Sequence, residues 1–139
     1  MKLGLGLIAV ICAACSSAPQ AGITLAPVGP AAESTPQPGD GTLVVFSAYI
    51  STEFGSNTPS YRRYHSAYRI FGPDGSVLKS VSNQSGPTSE EPSVVPLAPG
   101  KYRVEAMANG YGWVTVPVVI EAGRPTIVKL DGPVDSTVK

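Results

Sequence analysis

Short turn signals divide the second half of the chain and constrain its fold more than any other feature. Pro-Asp-Gly occupies positions 73–75, Pro-Gly 99–100, Asn-Gly 109–110 and Ala-Gly 122–123. Proline fixes one backbone dihedral angle and glycine accepts positive φ, so these pairs favour tight turns. The runs between them are rich in β-branched and aromatic residues, and none has a convincing helical pattern. We therefore expect an all-β fold.

Seven β-prone runs are predicted in a domain that covers residues 41–131. They are residues 42–50, 61–71, 76–81, 94–97, 101–108, 113–120 and 126–130. Alternation is clearest in residues 101–108, where one strand face carries Tyr102, Val104, Ala106 and Ala108. About seven short strands without helices favour a β-sandwich of two antiparallel sheets, because a single sheet would leave one apolar face in water. A small closed barrel is the second choice.

Residues 1–14 are predicted to be a signal peptide. A positive charge at Lys2 precedes an apolar run over residues 3–11, and small residues follow at Ala13 and Ala14. The apolar run is shorter than the roughly 20 residues that a membrane-spanning helix needs. The segment is therefore interpreted as an export signal.

The sequence Ile-Cys-Ala-Ala-Cys at positions 11–15 resembles the lipobox of bacterial lipoproteins. The resemblance implies that Cys15 is acylated, with palmitate-type chains, and becomes the mature N-terminus of a membrane-anchored protein. Ser16 after the cysteine implies sorting to the outer membrane of the cell envelope. Two alternatives stay open: ordinary cleavage after Ala14 or Ala18, and a redox or metal pair formed by Cys12 and Cys15.

Residues 15–40 are predicted to be a tether. After the cysteine this segment contains five prolines among Ala, Ser, Thr and Gly, with no hydrophobic periodicity. Such a composition is typical of disordered or extended linkers. Residues 132–139 are predicted to be a flexible tail.

Composition argues against several classes of function. Ten Lys and Arg residues balance ten Asp and Glu residues, and no basic run exceeds the pair Arg62 and Arg63. We therefore predict no nucleic-acid partner. One histidine and two cysteines supply few ligands for a metal, so we predict no metal and no cofactor.

Aromatic and arginine residues in the second predicted strand form the candidate binding surface, which consists of Tyr61, Arg63, Tyr64, His65, Tyr68 and Arg69. Tyrosine and arginine are suited to binding because rings supply contact area and guanidinium groups supply directional donors. Strand alternation predicts that one face enters the core, so packing is the expected role of most of these rings. His65, the only histidine of the chain, is expected at the surface rather than in a catalytic triad.

Further along the chain, the segments 94–106, 109–111, 116–123 and 128–130, together with the opening Gly-Thr-Leu-Val-Val at 41–45, resemble PEGA domains and the related carboxypeptidase-regulatory-like, transthyretin-like sandwiches. The resemblance implies a prealbumin-like β-sandwich that serves as an extracytoplasmic interaction module, usually without catalysis.

Three hypotheses for the function follow. The first is a lipid-anchored, non-enzymatic envelope protein that presents its sandwich to a protein partner. The second is a module that binds glycan or peptidoglycan; Trp113 and Tyr111 are expected to pack in the core and the adjacent turn, but an exposed pair could stack on sugar rings. The third is an enzyme that depends on His65. Glu90 and Glu91 are adjacent in a Pro-rich loop and are interpreted as solvated charges, not as a catalytic pair.

Overall fold

A computed structural model of the chain describes residues 22–35, 37–54, 60–86 and 89–132, with Phe54, Ser60 and Tyr61 described by their backbone alone. These residues form ten β-strands and no helix, which confirms the all-β prediction. Consequently, no helix in the described ranges is long and apolar enough to cross a membrane. The predicted signal peptide, Cys15 and positions 133–139 of the predicted tail lie outside the described residues.

The strands are more numerous than the seven predicted because two predicted runs are divided and one strand is new. Residues 42–50 form two strands, residues 61–71 form two more, and a short strand precedes the predicted domain. The ten strands are β1 Ile23–Thr24, β2 Gly41–Phe46, β3 Tyr49–Phe54, β4 Ser60–His65, β5 Tyr68–Phe71, β6 Val77–Val81, β7 Val94–Leu97, β8 Gly100–Ala108, β9 Gly112–Ile120 and β10 Pro125–Lys129.

Two sheets enclose the core and a third projects from them. The large sheet has the order β1-β9-β8-β5-β6, the small sheet has the order β10-β2-β7, and β3 pairs with β4. The predicted antiparallel arrangement needs one correction, since β1 runs parallel to β9 and β10 runs parallel to β2. After β9 the chain turns at residues 121–124 and crosses to the small sheet, so β10 begins at the same end as β2 and runs beside it in the same direction.

The core lies between the large and the small sheets. Alternate residues of β8 and β9 are buried, as the period of two predicted, and the small sheet contributes the opposite wall. From the large sheet the core receives Tyr68, Ile70, Val81, Val104, Ala106, Ala108, Val114, Val116, Val118 and Ile120. From the small sheet and the residue after it the core receives Leu43, Val45, Val95, Leu97, Val128 and Leu130. Apolar burial on both inner faces makes the architecture sandwich-like.

The strap, defined as residues 22–35, lies within the predicted tether and is held against the sandwich. The strap is extended, but β1 pairs with β9 and Val28 bridges Val118. Leu25 and Val28 pack against the core. The Arg124 guanidinium donates to the Ala31 carbonyl at 2.8 Å and to the Ser34 hydroxyl at 3.0 Å. These contacts hold the first part of the strap on the edge of the large sheet and its last part against Arg124 and the start of β10.

Gly123 tests how tightly the preceding chain closes over the turn at residues 121–124. Its φ is +64°, and a Cβ atom at this position would overlap the backbone of Gln37. We expect Gly123→Ala to lower the free energy of unfolding by about 1–3 kcal/mol in urea denaturation. Alanine is strained at this positive φ, and its methyl group must displace residue 37. Gly29→Ala is the matched control, since nothing lies within 4 Å of its added Cβ. Equal stabilities of the two variants would contradict this account.

Candidate functional site

The ribbon, defined as β3 and β4, leaves the sandwich at two Ser-Ala pairs. Ser47-Ala48 separates β2 from β3, and Ser66-Ala67 separates β4 from β5. The ribbon register runs from Tyr49 opposite His65 to Phe54 opposite Ser60. In the described part of the chain neither strand pairs with a third strand. The ribbon therefore presents two strand edges with no strand neighbour among those residues.

A buried polar network fixes the base of the ribbon. The Ser47 hydroxyl donates to the Ser66 carbonyl at 2.6 Å. The Asn83 amide donates to the Val45 carbonyl and to the Ser47 hydroxyl, both at 2.8 Å, and its oxygen accepts from the Ser93 backbone N–H at 3.1 Å. An unpaired buried polar group costs free energy, so the hydrogen bonds of this network favour one arrangement of the two crossing points.

His65 belongs to this base rather than to the surface. It is buried, and its Nδ1 lies 2.7 Å from the Ser47 carbonyl oxygen. Because a carbonyl can only accept, Nδ1 must carry the proton in this contact. The ring stacks on Tyr49 at 4.5 Å between centroids and meets Phe46 edge-on at 5.5 Å. The prediction of a surface histidine was therefore wrong.

Charged groups surround the outer side of this stack. The Arg63 guanidinium lies 4.2 Å from the centroid of the Tyr49 ring, a cation–π contact. Partial burial raises the pKa of the Tyr49 phenol, the nearby Asp131 carboxylate raises it further, and Arg63 opposes the rise. The Tyr49 ring thus covers the buried histidine, and the Arg63 guanidinium covers the Tyr49 ring.

The six predicted surface residues do not form one surface. Tyr68 is buried in the core, where burial raises the pKa of its phenol, so its assignment to a binding surface is corrected. Arg69 is exposed, but it lies on β5 and forms a 3.2 Å ion pair with Glu105. Arg63 is exposed and Tyr64 is half-buried on the ribbon. The side chain of Tyr61 lies outside what the structure describes.

The break at Ser66-Ala67 explains the error at His65, whereas the burial of Ser66, Tyr68 and Ile70 keeps the period of two. One continuous strand over residues 61–71 with strict alternation of faces predicts that His65 and Ser66 lie on opposite faces. Because the chain changes sheets at the break, the alternation restarts, and both His65 and Ser66 face inward. The two Ser-Ala pairs are the signal that sequence reasoning missed.

Two further exposed features were also missed. Ile50 lies opposite Tyr64 on the ribbon and keeps 39% of its surface exposed. Trp113 and Tyr111 are 54% and 40% exposed, contrary to their expected roles in the core and the turn. Trp113 borders an open pocket of about 560 Å³ on the large sheet, which is also lined by Ala67, Tyr68, Arg69, Ser80, Val81 and Ser82.

Metal-site geometry is not found in the described residues, where no group of three or more His, Cys, Asp or Glu side chains is placed to hold an ion. Comparisons with family models, with curated proteins and with solved structures find no match to this chain. The ribbon and the region around Trp113 are therefore the candidate functional sites.

Asn83 provides a test of the network at the ribbon base. Its φ is +60°, a region that only glycine adopts freely, and its amide makes three buried hydrogen bonds. We expect Asn83→Ala to lower the free energy of unfolding by about 2–4 kcal/mol in urea denaturation, because Ala loses the bonds and keeps the strain. Asn83→Gly loses the same hydrogen bonds but is not strained at positive φ, so it should lower the free energy of unfolding by about 1 kcal/mol less than Asn83→Ala does. Wild-type stability of Asn83→Ala would refute the network's role.

Proposed function

We propose that this chain is a lipid-anchored, non-enzymatic protein of the bacterial envelope that presents the ribbon to a protein partner. The proposal has three parts: an anchor at Cys15, a sandwich that serves as scaffold, and a ribbon that binds. We further propose that the scaffold is prealbumin-like, which is supported by the resemblance of its strand and turn sequences to PEGA domains.

The anchor is supported by the sequence around Cys15. Acyl chains contribute about 0.8 kcal/mol of membrane affinity for each buried methylene, so two or more chains hold a protein stably at the bilayer. The anchor in turn places the sandwich outside the cytoplasm, and the outer membrane is the proposed location.

The single observation that carries the proposed binding role is the pairing of β3 with β4 alone within the described residues. A strand with an open edge exposes backbone N–H and C=O groups that can bind an extended segment of another protein. The buried network around Ser47 and Asn83 holds the ribbon base in place. A preorganised edge binds with a smaller entropic cost than a loop that must first become ordered.

Side chains on one ribbon face would select the partner. Ile50 and Tyr64 are opposite each other and supply apolar area, while Thr52 lies on the same face beyond them. In β-strand addition, main-chain hydrogen bonds supply affinity and alternate side chains supply specificity. The partner is therefore expected to offer an extended strand with an apolar side chain that packs on Ile50.

The two alternative functions have weaker support. An enzyme would need His65 to face a substrate, whereas its ring is buried between Tyr49 and Phe46. Glycan binding is favoured by the exposed Trp113 beside the pocket. However, the polar groups of Arg69 and Glu105 near that pocket already bond to each other.

Replacement of Cys15 tests the anchor. We expect Cys15→Ser to move the protein from the membrane fraction to the soluble fraction of cells and to remove the acyl mass from its N-terminus, because serine has no thiol to acylate. Cys12→Ser is the matched control and should leave both readouts unchanged. Retention of Cys15→Ser in the membrane fraction would refute acylation at this position.

Photo-crosslinking tests the ribbon. A photoreactive residue at Ile50, in cells that make the protein, should give a discrete protein adduct identifiable by mass spectrometry, because this side chain is exposed on the proposed binding face. Lys101 is the control position, since it is exposed and lies at the opposite end of β8 from the ribbon base. Absence of an adduct from Ile50, or the same adduct from Lys101, would contradict binding by the ribbon.

A further inference from the structure

The strap determines where the chain leaves the sandwich toward Cys15. In addition to the pairing of β1, the Leu25 N–H donates to the Thr115 carbonyl at 2.8 Å and the Val28 N–H to the Pro117 carbonyl at 2.9 Å. The strap therefore follows β9 from its beginning toward its end. Its first strand residue, Ile23, is in register with Val114. The chain upstream of Ile23 thus leaves beside the start of β9.

The length of chain between this point and the predicted anchor is short. Eight residues extend from Ser16 to Ile23, and a fully extended chain of that length spans at most about 29 Å. A free tether through residue 40 would have allowed a much larger separation. A lipid on Cys15 therefore brings one particular end of the sandwich close to the bilayer.

We call this end the anchor pole and define it by Ile23, Tyr111 and Trp113. All three side chains are exposed, to 42%, 40% and 54% respectively. Tyr111 lies in the turn between β8 and β9, and Trp113 is the second residue of β9. Tryptophan and tyrosine are enriched at the boundary between lipid and water, where the ring is partly in apolar surroundings and its polar atom reaches water.

From these observations we propose that the anchor pole contacts the lipid bilayer and that the Trp113 side chain enters its interfacial region. This inference rests on the proposed acylation of Cys15. Charges close to the pole are mixed, with Asp131 and Arg63 both near Tyr49. The contact therefore depends on the anchor and the rings and does not require anionic lipid.

The ribbon lies at the same pole. The Ala48 N–H at its base donates to the Met107 carbonyl at 2.7 Å, and Met107 is directly opposite Trp113 in the large sheet. With the pole on the bilayer, the ribbon lies close to the lipid surface. A strand that pairs with the ribbon must accordingly belong to a membrane protein or to a membrane-proximal segment.

Fluorescence of Trp113 tests the inference, because Trp113 is the single tryptophan of the chain. The chain from Cys15 onward, which contains every described residue, is coupled through the Cys15 thiol to a maleimide lipid in phosphatidylcholine vesicles. This coupling makes the test independent of acylation in cells. Brominated acyl chains should reduce the Trp113 emission roughly two-fold relative to unbrominated vesicles, because an interfacial ring lies within reach of the upper acyl chain.

A matched reporter at a distant site provides the control. Leu78 on β6 is also 54% exposed, and β6 is the opposite edge strand of the large sheet from β1. The double variant Trp113→Phe, Leu78→Trp should show equal emission in the two kinds of vesicle, with folding checked by circular dichroism.

Two outcomes would overturn the inference. In the first, neither brominated lipid nor peptidoglycan fragments change the Trp113 emission, although the Cys15→Ser experiment has established acylation in cells. In the second, bromine has no effect while peptidoglycan fragments quench Trp113 of the uncoupled chain, which would assign the pole to glycan. Failure of acylation alone would remove the anchor and leave the vesicle result to decide whether the pole has affinity for lipid.

Discussion

Strands that leave a sandwich must still satisfy their buried backbone groups, and this requirement shapes the whole ribbon end of the molecule. At the crossing points the Ser47 carbonyl accepts from His65, the Ser66 carbonyl accepts from Ser47, and the Val45 carbonyl accepts from Asn83. An unpaired buried carbonyl costs about as much as a lost hydrogen bond. The polar side chains at these positions therefore stabilise the ribbon base, because apolar side chains there would leave these buried carbonyls without hydrogen bonds.

This requirement also explains why the only histidine of the chain is buried. An imidazole ring offers an N–H donor and a flat surface, and His65 uses both: Nδ1 donates to the Ser47 carbonyl, while the ring stacks on Tyr49 and lies perpendicular to Phe46. His65 is buried because β4 ends there. The strand ends at this residue because the chain crosses from the ribbon to the large sheet at Ser66-Ala67. A sequence pattern with period two contains no information about which residues pair across two different sheets.

The regular part of the fold was predictable because local and global preferences agree there. In β8 and β9 the alternation of apolar residues matches the buried face, and Asn109-Gly110 forms the turn between the two strands. The strap was not predictable from composition. Its proline-rich sequence correctly indicated an extended chain, but its attachment depends on Arg124, about 90 residues away, which bonds Ala31 and Ser34. The candidate site divided in the same way: the exposure of Arg63 and the alternation that buries Tyr68 were predictable, whereas the burial of His65 required knowledge of the break at Ser66-Ala67.

The two ends of the sandwich differ in a way that bears on function. At the end away from the ribbon the turns are short and internally bonded, as at Asp74, whose carboxylate accepts from the backbone and hydroxyl of Ser76. Those hydrogen bonds also lower the pKa of Asp74. The ribbon end instead combines strand edges without a strand neighbour among the described residues, the exposed Ile50 and the exposed Trp113. Turns that satisfy their own polar groups offer little to a partner, whereas open edges and exposed rings leave contacts to be made by another surface. Because the strap directs the chain toward Cys15 at this same end, the proposed acylation of Cys15 would couple anchoring to the proposed binding. A partner would reach the ribbon only within the distance from the bilayer that the short upstream segment allows.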